Sequence, residues 1–190
     1  MTMRLLEGLL VALASMILGQ ALVGCGGEPE AANVPTPPPA ISDPDLFRLI
    51  SQRTARVRSS PASAEAWGQL ALAYDAHHFD ERALLAYEQA STLDPERVEW
   101  PYLRATLLTT TDQVAAVEWL DQAAALQDDY APLFLRRGLG HYALGEISDA
   151  RADLERAVER DESLVSAHIG LARIALDEDR DEAAHAHATR

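Results

Sequence analysis

The chain of 190 residues contains no lysine, so all 16 of its Lys+Arg residues are arginine, set against 30 Asp+Glu. Its formal net charge is −14. No basic stripe is available to displace the counterions of a nucleic acid, which argues against that class of partner. Cysteine is as scarce: Cys25 stands alone, so no internal disulfide can form. There is no Cys pair and no C-x-x-C-H haem motif, and neither a G-x-S-x-G elbow nor a phosphate-binding loop occurs. The histidines do not converge in sequence either. His77 and His78 fall at a turn, where adjacent side chains diverge, and His185-x-His187 does not share one helix face. Metal sites need three or four convergent ligands. The sequence therefore predicts no catalytic residue, no metal, no cofactor and no small-molecule substrate.

What the chain does have is periodicity. Trp67, Leu70, Ala71 and Tyr74 recur at i, i+3, i+4 and i+7, one face of a helix. Ala83, Tyr87 and Ala90 mark one face of a second helix. Small Ala71 and Ala83 let the two helices approach, while Trp67 and Tyr87 fill the space around that contact. Asp80 reads as the N-cap of the second helix. Asp94 and Pro95 read as the cap and first residue of the helix after it.

These residues and spacings resemble the tetratricopeptide repeat (TPR), W-x2-L-G-x2-Y…A-x3-F…P over 34 residues. With Ala64 as position 1, Trp67, Leu70, Ala71, Tyr74, Ala83, Tyr87, Ala90 and Pro95 occupy the eight signature positions. Fainter copies begin at Val98, Ala131 and Val165. The second keeps Ala105, Ala116, Leu120 and Ala123, with one residue deleted. The third keeps Phe134, Gly138, Ala150, Leu154 and Ala157, and the fourth keeps Leu171, Ala172 and Ala184. Arg104 replaces the usual Leu at position 7 of the second copy; in the third, Arg137 and His141 depart at positions 7 and 11, which predicts less regular packing of that helix. The resemblance implies an all-α fold, a right-handed solenoid of antiparallel helix pairs. Its repeats are 64–97, 98–130, 131–164 and an incomplete 165–190. The helix over 180–190 either closes the array or continues into a longer protein. Before the array, residues 43–60 read as a capping helix whose Leu46, Leu49, Ile50 and Val57 face repeat 1, opened by a capping box at Ser42–Asp45.

The family binds ligands in a concave groove lined by positions 2, 5, 9, 12 and 13 of the first helix of each repeat. Those positions are Glu65, Gly68, Leu72, Asp75 and Ala76; Glu99, Tyr102, Thr106, Thr109 and Thr110; Pro132, Leu135, Leu139, Tyr142 and Ala143; and Ser166, Ile169, Arg173, Leu176 and Asp177. Carried over, the resemblance implies a peptide groove of Glu65, Leu72, Asp75, Tyr102, Leu135, Leu139, Tyr142 and Arg173. It lacks the cation clamp that holds a terminal carboxylate. An apolar peptide with a basic residue near Glu65 and Asp75 is the expected ligand.

Residues 8–23 form an uncharged apolar run the length of a secretory signal core and cleavage region. It ends in Leu22-Val23-Gly24-Cys25, which resembles the bacterial lipobox. That resemblance implies a signal peptide over 1–24, a palmitate-type lipid anchor on Cys25 and a domain facing the periplasm of a bacterial cell envelope. Gly26 rather than Asp after Cys25 implies the outer membrane. An uncleaved membrane span remains the alternative. Removing residues 1–24 takes one Arg and one Glu, so the mature charge stays at −14. The Pro-rich stretch to residue 42 reads as a tether reaching up to about 50 Å. Together these readings point to a membrane-anchored scaffold for a protein or peptide partner, without catalysis. Two other readings stay open: an envelope assembly factor, of the cytochrome c maturation or pilus and outer-membrane type, and the front of a longer protein.

Overall fold

The computed structural model describes residues 34–38 and 41–189. The apolar run, Cys25 and the first part of the tether lie outside the described residues. Nine α-helices and no strand occur among the described residues. They are α1 (Pro44–Ser59), α2 (Ala64–Asp75), α3 (Asp80–Leu93), α4 (Glu99–Leu108), α5 (Gln113–Leu126), α6 (Ala131–Leu144), α7 (Ile147–Arg160), α8 (Val165–Asp177) and α9 (Asp181–Ala188). None is long and apolar enough to cross a membrane.

Helices α2 and α3, α4 and α5, α6 and α7, and α8 and α9 form four successive A/B pairs. Small residues sit where A and B cross: Ala71 with Ala83, Ala105 with Ala116, and Gly138 with Ala150. A Cβ on Gly138 would stand 2.9 Å from Leu154 Cγ and 3.1 Å from the Ala150 carbonyl, so glycine sets that crossing distance. The A-to-B turns repeat too. His78, Gly145 and Asp179 all have positive φ, at 58°, 79° and 57°. Each falls at position 15 of its repeat. Their neighbours close each helix in the same way, with Phe79, Glu146 and Arg180 amides donating to Tyr74, His141 and Ala175 carbonyls. That is the Schellman pattern, and only Gly145 adopts it without a Cβ penalty. In repeat 2 α4 ends early and α5 starts at position 16 instead of 17, where the deleted residue falls.

Several caps differ from expectation. Asp80 is the first residue of α3, and its N-cap is Phe79, which makes no side-chain bond. Asp94 ends α3 instead of starting the next helix, and α4 begins only at Glu99. The box read at Ser42–Asp45 does not form: the N-cap of α1 is Asp43, its carboxylate accepting from the Asp45 amide at 2.8 Å. No acidic residue at the third helical position completes a box there, because that position is Leu46.

The core divides in two. One cluster joins Ile50 and Val57 of α1 to Trp67, Leu70, Tyr74, Tyr87 and Trp100. The other joins Ala105 and Leu120 to Leu133, Phe134, Leu154, Leu171 and Ile174. Residues 34–38, within the stretch read as tether, also belong to the folded part. Val34 is buried in the first cluster. The Tyr74 hydroxyl donates to the Pro35 carbonyl at 3.0 Å, and Arg82 Nε donates to that of Thr36 at 3.1 Å.

Candidate functional site

No described cluster resembles catalytic machinery, so the site question concerns the A-helix face. There the structure knits successive repeats together with polar bridges. Arg97 Nη1 donates to Glu65 Oε2 at 2.6 Å, joining the segment before α4 to α2. Arg136 Nε on α6 donates to the Tyr102 hydroxyl on α4 at 2.9 Å. The Tyr142 hydroxyl on α6 donates to Asp177 Oδ2 on α8 at 2.8 Å. The hydrogen bond to a carboxylate raises the Tyr142 pKa above the ordinary phenol value, because a phenolate there would face Asp177.

The eight groove residues named from the sequence therefore have unequal standing. Glu65 is held by Arg97 and by Gln69, and those bonds lower its pKa. Asp75 accepts from the buried Tyr87 hydroxyl at 3.0 Å. Burial first, and then that carboxylate, push the Tyr87 pKa strongly up. Both carboxylates at the repeat 1 end are thus already partnered, and the expected seat for a basic ligand residue is occupied from within. Leu72 packs half-buried on the first core cluster, and Leu135 on the second. Tyr102 is bonded to Arg136 and sets its ring edge-on to Tyr130, at 5.4 Å and 75°. Leu139 is 39% exposed. Arg173 is exposed and forms no ion pair among the described residues.

Among the described A helices, the exposed large apolar side chains fall on α6 and α8, those of the last two repeats. Ile169 at 47% and Leu176 at 56% stand one helical stretch apart on α8, beside Leu139 of α6. Gly68, at a groove position in repeat 1, instead faces the Trp100 ring: a Cβ there would meet it at 2.2 Å. Thr106 bonds back to the Leu103 carbonyl of its own helix at 2.7 Å. A cleft of about 380 Å³ opens beside Tyr102, lined by Val98, Glu99, Leu103, Gln127 and Tyr130. The sequence reading missed Arg97, Tyr130 and Arg136. The last two lie just before and within repeat 3, off the groove positions, and only the inter-repeat geometry brings them in.

One group of donors was not foreseen. His141, Glu146 and Asp149 place ligand atoms within 4.8 Å of one another at the α6–α7 turn. His141 Nδ1 is already 2.6 Å from Glu146 Oε2, and both carboxylates are exposed. That geometry serves the turn as it stands.

No protein-family model matches the sequence, and no curated protein matches it. Solved structures do. A crystal structure of MamA is similar at TM-score 0.73 and 19% identity, over 76% of this chain and 85% of that one. YrrB, described as a TPR protein with an unusual peptide-binding site, is similar at TM-score 0.68 and 17% identity, over 75% and 74%. The first TPR of Spaghetti (RPAP3), bound to the HSP90 peptide SRMEEVD, is similar at 0.58 and 23%, over 62% and 94%. At these identities the likeness establishes the fold. The chain is an all-α TPR solenoid.

Proposed function

We propose that this chain is a membrane-anchored TPR scaffold of the bacterial cell envelope that binds a protein partner along its A-helix face and performs no catalysis. The observation that carries this reading is the exposed apolar surface of Leu139, Ile169 and Leu176, left open on the face that TPR proteins use. Large apolar side chains clustered at the surface mark interaction sites. Two structural neighbours, the RPAP3 repeat and YrrB, are described as peptide binders, which supports the same use of the fold. The lipobox-like Leu22–Cys25 supports attachment to a membrane, outer by the Gly26 rule, through acyl chains that anchor at about 0.8 kcal/mol per buried methylene. With residues 34–38 docked on repeat 1, a tether drawn from 26–33 would reach at most about 25 Å, at roughly 3.1 Å per residue of extended Pro-rich chain. The domain works close to the bilayer, while its acidic charge keeps it off anionic lipid.

Site-specific photo-crosslinking in cells tests the binding face. A crosslinking residue at Leu139 should trap a protein that one at Val114, exposed on a B helix, does not. Equal yields at both positions overturn the face. For the anchor, Cys25→Ser should release the chain from membranes, and retention would favour an uncleaved span.

A further inference from the structure

The A-helix face reverses the charge expected of the ligand. The carboxylates at the repeat 1 end, Glu65 and Asp75, are both satisfied internally. Arg173, at the other end, is an exposed cation with no ion pair among the described residues. It lies four residues after Ile169 and three before Leu176, so all three side chains share one face of α8. Leu139 borders this face: its Cδ2 lies 3.6 Å from where a Cβ would stand on Gly170. The surface thus presents two exposed apolar side chains with a cation between them. Ile169 and Leu176 are separated by seven residues, roughly 10.5 Å along a helix.

Spacing selects the shape of the ligand. A strand places same-face side chains roughly 6.7 or 13 Å apart, and neither value matches. A second helix matches directly, with apolar residues at i and i+7 and a third residue of the same face between them. Charge selects the residue between. A carboxylate there would meet Arg173 in a partly desolvated pair, whereas a cation would meet repulsion.

We propose, building on the groove reading above, that repeats 3 and 4 bind an amphipathic helix of the partner protein. Its apolar residues seat on Ile169, Leu176 and Leu139, and an internal Asp or Glu side chain pairs with Arg173. The carboxylate belongs to a side chain within the helix, so a free chain end is not needed. Arg136, the other exposed arginine on these two A helices, is bonded to the Tyr102 hydroxyl, so Arg173 fixes the register.

The test uses the folded chain and a fluorescein-labelled, N-acetylated, C-amidated alanine-based helical peptide. It carries Leu at i and i+7 and Glu at i+3 and i+4, and a twin carries Lys in place of Glu. Anisotropy should show saturable binding of the Glu peptide, weakened about tenfold by Arg173→Gln and abolished by Ile169→Asp. Arg173→Glu should reject the Glu peptide and accept the Lys twin. Both side chains are exposed, and unchanged circular dichroism would show that the fold survives. Equal affinity of the wild-type chain for the two peptides, or failure of the charge swap to restore binding, overturns the inference. A Leu139 crosslink to a partner without peptide selectivity would sink this inference and leave the scaffold reading standing. Equal crosslinks at Leu139 and Val114 would sink the scaffold reading.

Discussion

At position 7 of its A helix repeat 1 carries Leu70, and repeat 3 carries Arg137. Leu70 is fully buried among Trp67, Tyr74 and Tyr87, an apolar and aromatic setting. Arg137 instead donates two bonds of 2.6 Å to Asp153 and one of 3.0 Å to Asp121. Position 11 changes with it, from Tyr74 to His141, whose Nε2 faces Asp153 at 3.8 Å. Yet both repeats form the same helix pair around the same small residues, Ala71 and Ala83 in one and Gly138 and Ala150 in the other. Backbone approach at the crossing sets the pair. The neighbouring position can be apolar or ionic, provided the adjacent B helices supply matching carboxylates.

The largest test removes one partner. Asp153 is 5% exposed, so Arg137→Met leaves a buried carboxylate without its counter-charge. Breaking such a pair costs about 3–5 kcal/mol. The double change Arg137→Met with Asp153→Leu, which makes repeat 3 resemble repeat 1, should return to within about 1 kcal/mol of the parent by urea denaturation. If the single change is as stable as the parent, the ionic layer contributes nothing and the comparison fails.

Next comes the stiffness of the two cores. A Cβ on Gly68 would stand 2.2–2.6 Å from three carbons of the Trp100 ring, whereas one on Gly170 would stand 2.7 Å from the Leu154 Cδ1 methyl. A rigid indole cannot yield, and a leucine tip can. Gly68→Ala should cost about 2 kcal/mol and Gly170→Ala less than about 1. Equal losses would mean that the aromatic core is no stiffer than the aliphatic one.

Repeat 2 stands between the two cases. Arg104 also occupies position 7 and reaches back sixteen residues to Glu88 at 3.3 Å, as Arg137 does to Asp121. No second carboxylate faces it, because Trp119 stands where repeat 3 has Asp153. Its Nε and Nη1 are buried without a partner, its guanidinium lies 4.1 Å over the Trp119 ring, and burial lowers its pKa. Arg104→Leu removes the two orphaned donors at the loss of one cation–π contact and one pair to an exposed carboxylate. It should therefore stabilise the chain by about 1 kcal/mol, a rise of a few degrees in melting temperature. A fall would show that the stacked guanidinium outweighs its unmet hydrogen bonds.

These contrasts explain what the sequence could disclose. Repeat starts and small crossing residues were legible, because each follows from periodicity within one helix. Less regular packing was expected at Arg137 and His141, but their partners sit on other helices, and a single-helix pattern cannot display them. The turns hid for a different reason. His78 and Asp179 adopt a conformation that glycine usually advertises, so Asp80 passed for a cap. The helix on which each proposed groove residue falls was legible. Whether each was free was not, since Arg97, Arg136 and Asp177 bridge between repeats.

The smallest test concerns charge at the surface of repeat 1. Glu65 is tied to Arg97 at 2.6 Å, and that bond, more than Gln69, holds its pKa below the ordinary carboxylate value. A depressed folded pKa means stability that is present above the unfolded value and is lost as pH falls through the folded one. The pair is largely exposed, so it contributes only about 0.5 kcal/mol. Glu65→Gln should therefore be slightly less stable than the parent at pH 7, and the gap should close as pH falls below the ordinary glutamate range. Raising salt at pH 7 should narrow the same gap, because exposed pairs are screened. The buried Arg137–Asp153 layer should keep most of its contribution in salt. Equal salt sensitivity of the Glu65→Gln and Arg137→Met gaps would erase the distinction between a surface bridge in repeat 1 and an internal one in repeat 3.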